Sequence, residues 1–352
     1  METALVLCEG FLGTGTGKTA NGLVRHSRRF ALVGVLDSRN AGRDAGEVVD
    51  GRVRGIPVYR DLEAALGALG SPPKNLIVGV ATFGGYLPKE FRPVVRRALE
   101  SGMDVFSGLH EHLSEDPEFA AVAREHGTRL VDVRKPRPLR ELRQFTDLAR
   151  KLPCLRLPVL GTDGSIGKRT TAILLSEALN AAGVRASFVA TGQTGLLQGA
   201  EFGVPLDAIP GDFMVGELES EIVRAYESER PQVIVVEGQG SISHPAYVCG
   251  SRAILSAAAP SGIVVVHAPG RKTRNYRRDQ LSIPMPDLAR EIELLEAFSG
   301  SRVVGLAVNH EGLGRADVER VSLEYRERFR LPVCDPLVDG CGELVAAVRS
   351  LL

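Results

Sequence analysis

The chain has 352 residues, more than one hydrophobic core usually organises, so two domains are expected. Hydrophobic residues make up 44% and charged residues 24% of the chain, and no apolar run approaches the roughly 18 residues that span a bilayer. The 43 Lys and Arg residues balance the 43 Asp and Glu residues, so no global field attracts nucleic acid or an anionic membrane. We expect a soluble homo-oligomer that binds neither.

The N-terminus and the cysteines indicate the compartment. The chain begins directly with an apolar strand, without the basic region or the small-residue cleavage site of a signal peptide, which predicts a cytoplasmic location. The five cysteines are odd in number and scattered, with no Cys-x-x-Cys spacing. This pattern argues against both a disulfide framework and a structural zinc site, and we interpret the cysteines as small buried thiols.

The first 135 residues alternate short β-branched runs with helical patterns. Strands are predicted at Ala4–Cys8, Phe30–Leu36, Asn75–Val80, Asp104–Phe106 and Arg129–Val133. Helices are predicted at Lys18–Ser27, Asp61–Leu69, Pro88–Ser101 and Asp116–His126. This alternation is typical of βαβ units, in which a helix crosses over between parallel strands.

The second half repeats the alternation after a basic, proline-rich segment and a predicted helix over Leu139–Lys151. Strands are predicted at Leu157–Leu160, Ala186–Thr191, Val233–Glu237, Gly262–His267, Val303–Asn309 and Val333–Asp335. Helices are predicted at Lys168–Ala182, Gly216–Ser228, Arg252–Ala258, Asp287–Phe298 and Ala316–Phe329. We therefore predict two α/β domains, over residues 1–145 and 146–352.

A phosphate-binding loop is predicted between the first strand and the first long helix of the second domain. Its candidate ligand-binding residues are Gly161, Thr162, Asp163, Gly164, Ser165, Ile166, Gly167, Lys168, Arg169, Thr170 and Thr171. Glycines allow the backbone N–H groups to turn inward, the helix adds its positive end, and the lysine reaches terminal phosphates. Arg169 stands where Ser or Thr usually follows the lysine, so magnesium coordination would fall to Thr170 or Thr171.

Polar residues at other strand ends supply further candidates. Glu237 ends a strand at the carboxyl edge of the predicted sheet, where open α/β folds bind ligands, and could hold magnesium or act as a base. Asn309 could offer a donor and an acceptor to a base edge, or act as a cap or turn residue. Asp212 is either another metal-binding or catalytic carboxylate or an exposed surface residue. His244 is the best placed histidine for proton transfer, although a loop histidine without function is the alternative.

The first domain has a weaker glycine-rich signal. The segment Gly13–Thr19 resembles a phosphate loop in sequence, but Leu12 occupies the position of the glycine that begins that motif. Asp37 follows the second strand, about where a dinucleotide-binding fold keeps the acid that binds ribose. A second ligand site and a purely structural turn both remain open for this segment.

Two resemblances follow from these motifs. Gly-Thr-Asp-x-x-Ile-Gly-Lys, Val-Val-Glu-Gly-x-Gly and a strand ending in Asn resemble the loops of dethiobiotin synthetase and related P-loop NTPases. Over the whole chain the sequence resembles a two-domain family whose studied members are D-glutamate N-acetyltransferases. That resemblance rests on the segments Lys18–Arg25, Val33–Ser38, Ala41–Glu47 and Gly167–Thr171. It implies a Rossmann-like domain followed by a P-loop NTPase-like domain.

The second resemblance implies acetyl transfer from acetyl-CoA to D-glutamate, with the cofactor phosphates in the loop. Glu237 or His244 would then be the base, and Lys168 would hold phosphates or the oxyanion. The basic run that begins Arg271, Lys272, Thr273, Arg274 would bind the CoA 3′-phosphate or a dicarboxylate, unless it is a solvated loop.

Three points stay open at this stage. The substrate carboxylates could instead be bound in the first domain, near Lys18 and Arg25. The first resemblance implies ATP-dependent carboxylate activation, with magnesium bound by Thr170, Asp212 and Glu237. A nucleotide sensor without turnover is the alternative outside the enzymes.

Overall fold

The computed structural model describes residues 1–276 and 282–352. Its strands are Glu2–Leu7 (β1), Phe30–Leu36 (β2), Val58–Tyr59 (β3), Asn75–Val78 (β4), Asp104–Ser107 (β5), Leu130–Asp132 (β6), Leu155–Gly161 (β7), Ala186–Ala190 (β8), Phe202–Gly203 (β9), Val233–Glu237 (β10), Ile263–His267 (β11), Val303–Val308 (β12) and Val333–Cys334 (β13). Its helices are Lys18–Arg25 (α1), Ala45–Asp50 (α2), Leu62–Leu69 (α3), Arg92–Glu100 (α4), Pro117–His126 (α5), Lys168–Ala181 (α6), Gln193–Gln198 (α7), Met214–Glu229 (α8), Gly250–Ala258 (α9), Leu288–Ser299 (α10), Arg315–Phe329 (α11) and Gly342–Arg349 (α12).

The first compact unit comprises Met1–Pro136 together with Gln193–Ala200. Its six parallel strands lie in the order β3-β2-β1-β4-β5-β6, the strand order of a dinucleotide-binding fold. The predicted Rossmann-like first domain is thus confirmed.

Helix α7 joins this first unit although it lies far along the chain. The Gln198 Nε2 atom donates hydrogen bonds to the carbonyl oxygens of Gly22 and His26, both at 2.8 Å. The hydroxyls of Thr19 and Thr194 lie 3.1 Å apart. Local sequence pattern did not predict this helix, because it is short and its partners are more than 160 residues away in the chain.

The second unit comprises Arg137–Gly192 and Glu201–Leu352. Its described residues form a seven-stranded parallel sheet in the order β13-β12-β11-β7-β10-β8-β9. Strand β7 therefore lies in the interior of the sheet, between β11 and β10. The phosphate loop follows β7, as a P-loop NTPase-like domain requires, and this part of the predicted fold is also confirmed.

Both faces of the second sheet are covered by apolar side chains. Ile234 and Val236 belong to the cluster on one face, whereas Val233 and Val235 belong to the cluster on the other. Successive strand residues point to opposite faces, and helices cover both, so the strand is a continuous apolar run rather than an alternating one. Burying each valine contributes about 1.5–3 kcal/mol.

The predicted strands and helices are confirmed within a few residues, with one exception. Leu139–Lys151 is not a continuous helix but two 3-10 turns joined by extended chain. Its backbone N–H groups donate instead to buried carboxylates of α8: Arg143 N to Glu217 Oε1 at 2.6 Å, and Thr146 N to Glu219 Oε2 at 2.7 Å. These tertiary hydrogen bonds replace the helical ones.

Three further observations concern membrane spans, cysteines and the basic run. None of the helices in the described residues combines the length and hydrophobicity that a membrane span requires. The five cysteines are free thiols, of which Cys249 is exposed and the other four are buried. The end of the basic run, Arg277 and Arg278, lies outside the described residues.

Candidate active site

The loop between β7 and α6 has the backbone geometry of an anion cradle. Gly167, which precedes α6, has a φ of 99°, and Ser165 has a φ of 52°, so the chain turns sharply twice before the helix begins. The backbone N–H groups of residues 164–167 donate no hydrogen bond to an acceptor in the described part of the chain. These N–H groups and the N-terminus of α6 together fit a phosphate.

Lys168, the first residue of α6, lies folded over this loop. Its side chain is buried, and Nζ donates to the carbonyl oxygen of Asp163. Gly238 has no space for a side chain, since a Cβ atom there would lie 2.1 Å from the Val159 carbonyl oxygen and 3.0 Å from Lys168 Cδ. The glycine after Glu237 thus allows the end of β10 to approach the loop closely.

Asp163 is the buried centre of the loop. Its Oδ2 accepts hydrogen bonds from Arg271 Nη1 at 2.8 Å and from the backbone N–H of Asn275 at 2.6 Å. Its Oδ1 has no hydrogen-bond partner and faces Nε2 of His244 at 3.8 Å. This buried carboxylate therefore keeps one oxygen without a hydrogen bond inside the loop.

Arg271 and Arg274 fasten the basic segment to the loop. Arg271 donates to the carbonyl oxygens of Gly164 at 2.9 Å and Ser165 at 3.2 Å, and it also pairs with Glu311. The Arg274 guanidinium is buried, and its donors are taken by protein oxygens, among them Ser241 Oγ at 2.5 Å, Ser243 Oγ at 2.7 Å, and the carbonyls of Thr162 and Pro284. Both arginines therefore position the loop. Lys272, between them, is exposed.

Glu237 lies at the end of β10 and is buried, with 6% of its surface exposed. Its Oε2 accepts the backbone N–H groups of Thr191 at 3.0 Å and Gly192 at 3.3 Å. Burial raises the pKa of this carboxyl, against the opposing charges of Arg169 and Lys168. A raised pKa brings the carboxyl towards the range in which a general base accepts protons efficiently.

His244 is arranged as a donor rather than a base. Its Nδ1 accepts the backbone N–H groups of Ala246 at 3.1 Å and Tyr247 at 3.2 Å. Burial and the charge of Arg274 lower the pKa of His244, while Asp163 opposes them, so the ring is neutral and carries its proton on Nε2. No lone pair of His244 is available to accept a substrate proton.

The remaining predicted second-unit residues occupy different surroundings. Asn309 is engaged by the protein, because its Nδ2 donates to the Ile166 carbonyl at 2.9 Å and its Oδ1 accepts the Glu311 N–H at 2.9 Å. Thr170 lies half-buried in the first turn of α6, next to the buried Thr171. Asp212 is exposed in a 3-10 turn before α8, and none of the described hydrogen bonds or ion pairs joins it to the loop.

The described side chains around the loop do not form a preformed metal site. Across residues 1–276 and 282–352 there is no group of three or more His, Cys, Asp and Glu residues placed to hold a metal ion. Magnesium coordination by Thr170, Asp212 and Glu237 stays a prediction.

The first unit holds the other predicted residues. Arg25 Nε pairs with Asp50 Oδ2 at 3.0 Å, and Lys18 begins α1. Asp37 is fully buried, where it accepts the N–H groups of Gly10 and Arg39 and the Nδ2 group of Asn40. These bonds occupy the carboxylate that a dinucleotide-binding fold would use for ribose.

Sequence reasoning missed Glu291 near the site, and it considered His267 only as a second histidine at a strand end, after His244. Glu291 in α10 is fully buried, burial raises its pKa, and it accepts the Ile242 N–H at 2.9 Å and the Ser243 hydroxyl. His267 contacts the Thr162 hydroxyl at 2.9 Å, and burial lowers the pKa of this histidine to about 4. The position of His267 at a strand end was the one available signal, whereas Glu291 is a helix residue like many others.

The fold and the loop define the class: a Rossmann-like domain followed by a P-loop domain. The particular family is DUF1611, a domain of unknown function, to which this chain belongs. Its P-loop domain model matches residues 143–345, and its Rossmann-like domain model matches residues 38–136.

Two named relatives and a solved structure extend this similarity. The chain is 34% identical over 283 residues to a D-glutamate N-acetyltransferase of Tritonibacter scottomollicae, covering 79% of this chain and 82% of that one. It is 33% identical over 278 residues to a protein of the same name from Pseudoalteromonas, covering 78% and 80%. A crystal structure of a DUF1611 family protein from Anabaena variabilis matches with a TM-score of 0.90 and 31% identity, covering 99% of this chain and 100% of that one.

Proposed function

We propose that this protein transfers the acetyl group of acetyl-CoA to the amino group of D-glutamate. The observation that carries the proposal is the buried Glu237 carboxyl, whose pKa is raised, at the same sheet edge as the phosphate loop. The names of the two relatives support the choice of acyl transfer and of D-glutamate as acceptor.

The phosphate loop would bind the donor. The N–H groups of residues 164–167, the positive end of α6 and Lys168 would hold phosphates of acetyl-CoA. Arg271 and Arg274 would keep this loop in shape through the bonds to Gly164 and Thr162. The exposed Lys272 would attract the carboxylates of the acceptor.

Glu237 would supply the base. The α-ammonium of D-glutamate must lose a proton before its nitrogen can attack, and the Glu237 carboxylate would accept that proton. The amine nitrogen then forms a bond to the thioester carbonyl carbon, the carbon–sulfur bond breaks, and the second proton lost by the nitrogen protonates the departing CoA thiolate. The N–H groups of Thr191 and Gly192 would hold Glu237 in place throughout.

The direct test measures products. Purified protein is incubated with D-glutamate and either acetyl-CoA or ATP with magnesium, and free thiol and ADP are followed, with L-glutamate as the matched acceptor control. Thiol release that requires D-glutamate, without ADP, is the expected result. ADP release would instead support the second candidate, ATP-dependent carboxylate activation, which the Gly-Lys-x-Thr loop itself favours. Release of neither thiol nor ADP would support a nucleotide sensor without turnover.

A further inference from the structure

His310 follows β12 beside the phosphate loop, and both of its neighbours in the chain hold that loop. Asn309 donates to the Ile166 carbonyl at 2.9 Å, while Glu311 pairs with Arg271, which in turn binds the carbonyl oxygens of residues 164 and 165. A side chain at position 310 is therefore placed at the edge of the cradle.

The His310 ring is oriented by a buried carboxylate. Its Nδ1 lies 2.5 Å from Oδ2 of Asp335, which is 1% exposed and whose Oδ1 accepts the Leu337 N–H at 3.0 Å. With the Asp335 carboxylate as the acceptor, Nδ1 is the donor, and the tautomer that carries its proton on Nδ1 keeps a lone pair on Nε2. The His310 side chain is 41% exposed, and its Nε2 has no hydrogen-bond partner within the described residues.

The sheet sets the distance between this ring and the loop. Strand β11 separates β12 from β7, and strands lie about 4.8 Å apart, so the end of β12 is about 10 Å from the end of β7. A ligand with its phosphates in the loop can place its nucleoside at that distance. Asn309, the sequence candidate for a base reader, is already engaged by the protein.

We infer that His310 Nε2 accepts a hydrogen bond from the exocyclic amine of the base of the loop ligand, with Asp335 setting the ring tautomer. This inference rests on the proposed function, in which the loop binds phosphates. Asp335 holds the ring through Nδ1, and a neutral donor such as an exocyclic amine suits the lone pair that Nε2 then presents.

The test compares ligands that share phosphates and differ in the nucleoside. Calorimetric binding of tripolyphosphate, ADP and IDP is measured at pH 8.5, with adenosine 3′,5′-bisphosphate to probe a 3′-phosphate. Wild-type protein should prefer ADP, whose base carries an amine, to IDP, whose base carries an oxo group. His310→Ala should weaken ADP binding about threefold to tenfold and leave tripolyphosphate unchanged. His126→Ala, at an exposed histidine of the first unit, should change neither.

A second variant reverses the tautomer. Asp335→Asn presents an NH₂ donor to Nδ1 of His310, so the ring proton moves to Nε2. ¹⁵N NMR detects this change of tautomer directly. The binding preference of the protein should then shift from ADP towards IDP. A thermal unfolding curve checks that this buried position still folds.

The outcomes separate the two ideas. If wild-type protein fails to bind tripolyphosphate, both the proposed phosphate site and the role of His310 are contradicted. If tripolyphosphate binds but His310→Ala leaves the ADP-to-tripolyphosphate ratio unchanged, this inference alone is overturned. A preference for adenosine 3′,5′-bisphosphate that is lost in His310→Ala would also overturn it, because the ring would then bind an anion.

Discussion

The imidazole of His244 faces the carboxylate of Asp163 across 3.8 Å, with both facing atoms buried and neither hydrogen-bonded. The gap is too short for a bridging water and too long for a hydrogen bond. With Nδ1 of His244 occupied by two backbone N–H groups, its Nε2–H can only donate towards Asp163. A small movement of the phosphate loop would complete this bond, so we assign His244 a positioning role.

This geometry predicts that His244→Gln keeps the acid limb of the pH–rate profile. In the proposed mechanism Glu237 is the base, so removing the imidazole should lower kcat less than tenfold and leave the limb at the same pH. Stopped assays of thiol release between pH 5 and 9 measure this. A limb that vanishes in His244→Gln would make the histidine the base.

Glu237→Gln should lower kcat by about 10²–10⁴ with little change in KM, because the amide keeps the shape of the side chain but cannot accept a proton. Burial raises the pKa of Glu237, and the base must be ionised to act. In the wild type, activity is therefore full above this raised pKa and is lost as the pH falls through it.

The pH dependence provides the control for this variant. The limb should disappear in Glu237→Gln, leaving a low rate that no longer falls with acid. Activity of Glu237→Gln within twofold of the wild type would return Glu237 to a structural role.

Lys168→Ala should weaken binding of acetyl-CoA by about 1.5–3 kcal/mol, roughly 10- to 150-fold, because charge-assisted contacts to phosphate are lost. Calorimetry measures the affinity, and Lys89→Ala, at an exposed lysine of the first unit, is the matched control. Unchanged affinity of Lys168→Ala for both acetyl-CoA and ATP would show that phosphates bind elsewhere.

Glu219→Ala should lower the free energy of unfolding by about 3 kcal/mol or more, because buried N–H and O–H donors would lose their acceptor. Glu219 accepts the N–H and hydroxyl of Thr146 and the N–H of Ala149. Urea unfolding measures the change, and Glu227→Ala, exposed on the same helix, should stay within about 0.5 kcal/mol of the wild type. Equal effects of the two substitutions would contradict the role of Glu219 in holding this segment.

Local pattern predicted most of the strands and helices and the position of the phosphate loop, but not short helices such as α2 and α7. Apolar runs such as Val233–Glu237 have the predicted bounds, because a strand buried on both faces requires continuous β-branched residues. The strand–glycine–lysine–helix sequence located Gly167 and Lys168 for a similar reason, since backbone turns and helix starts depend on neighbouring residues.

Only the tertiary structure decided which side chains are free to act. His244 and Glu237 were equal candidates for the base in sequence, and the choice between them depends on the N–H groups of Ala246, Tyr247, Thr191 and Gly192. The Leu139–Lys151 segment had a helical pattern, yet carboxylates of α8 some 70 residues away took its N–H groups. Hydrogen-bond partners distant in the chain, and the burial that shifts a pKa, arise only when the chain has folded, so no local window of sequence contains them.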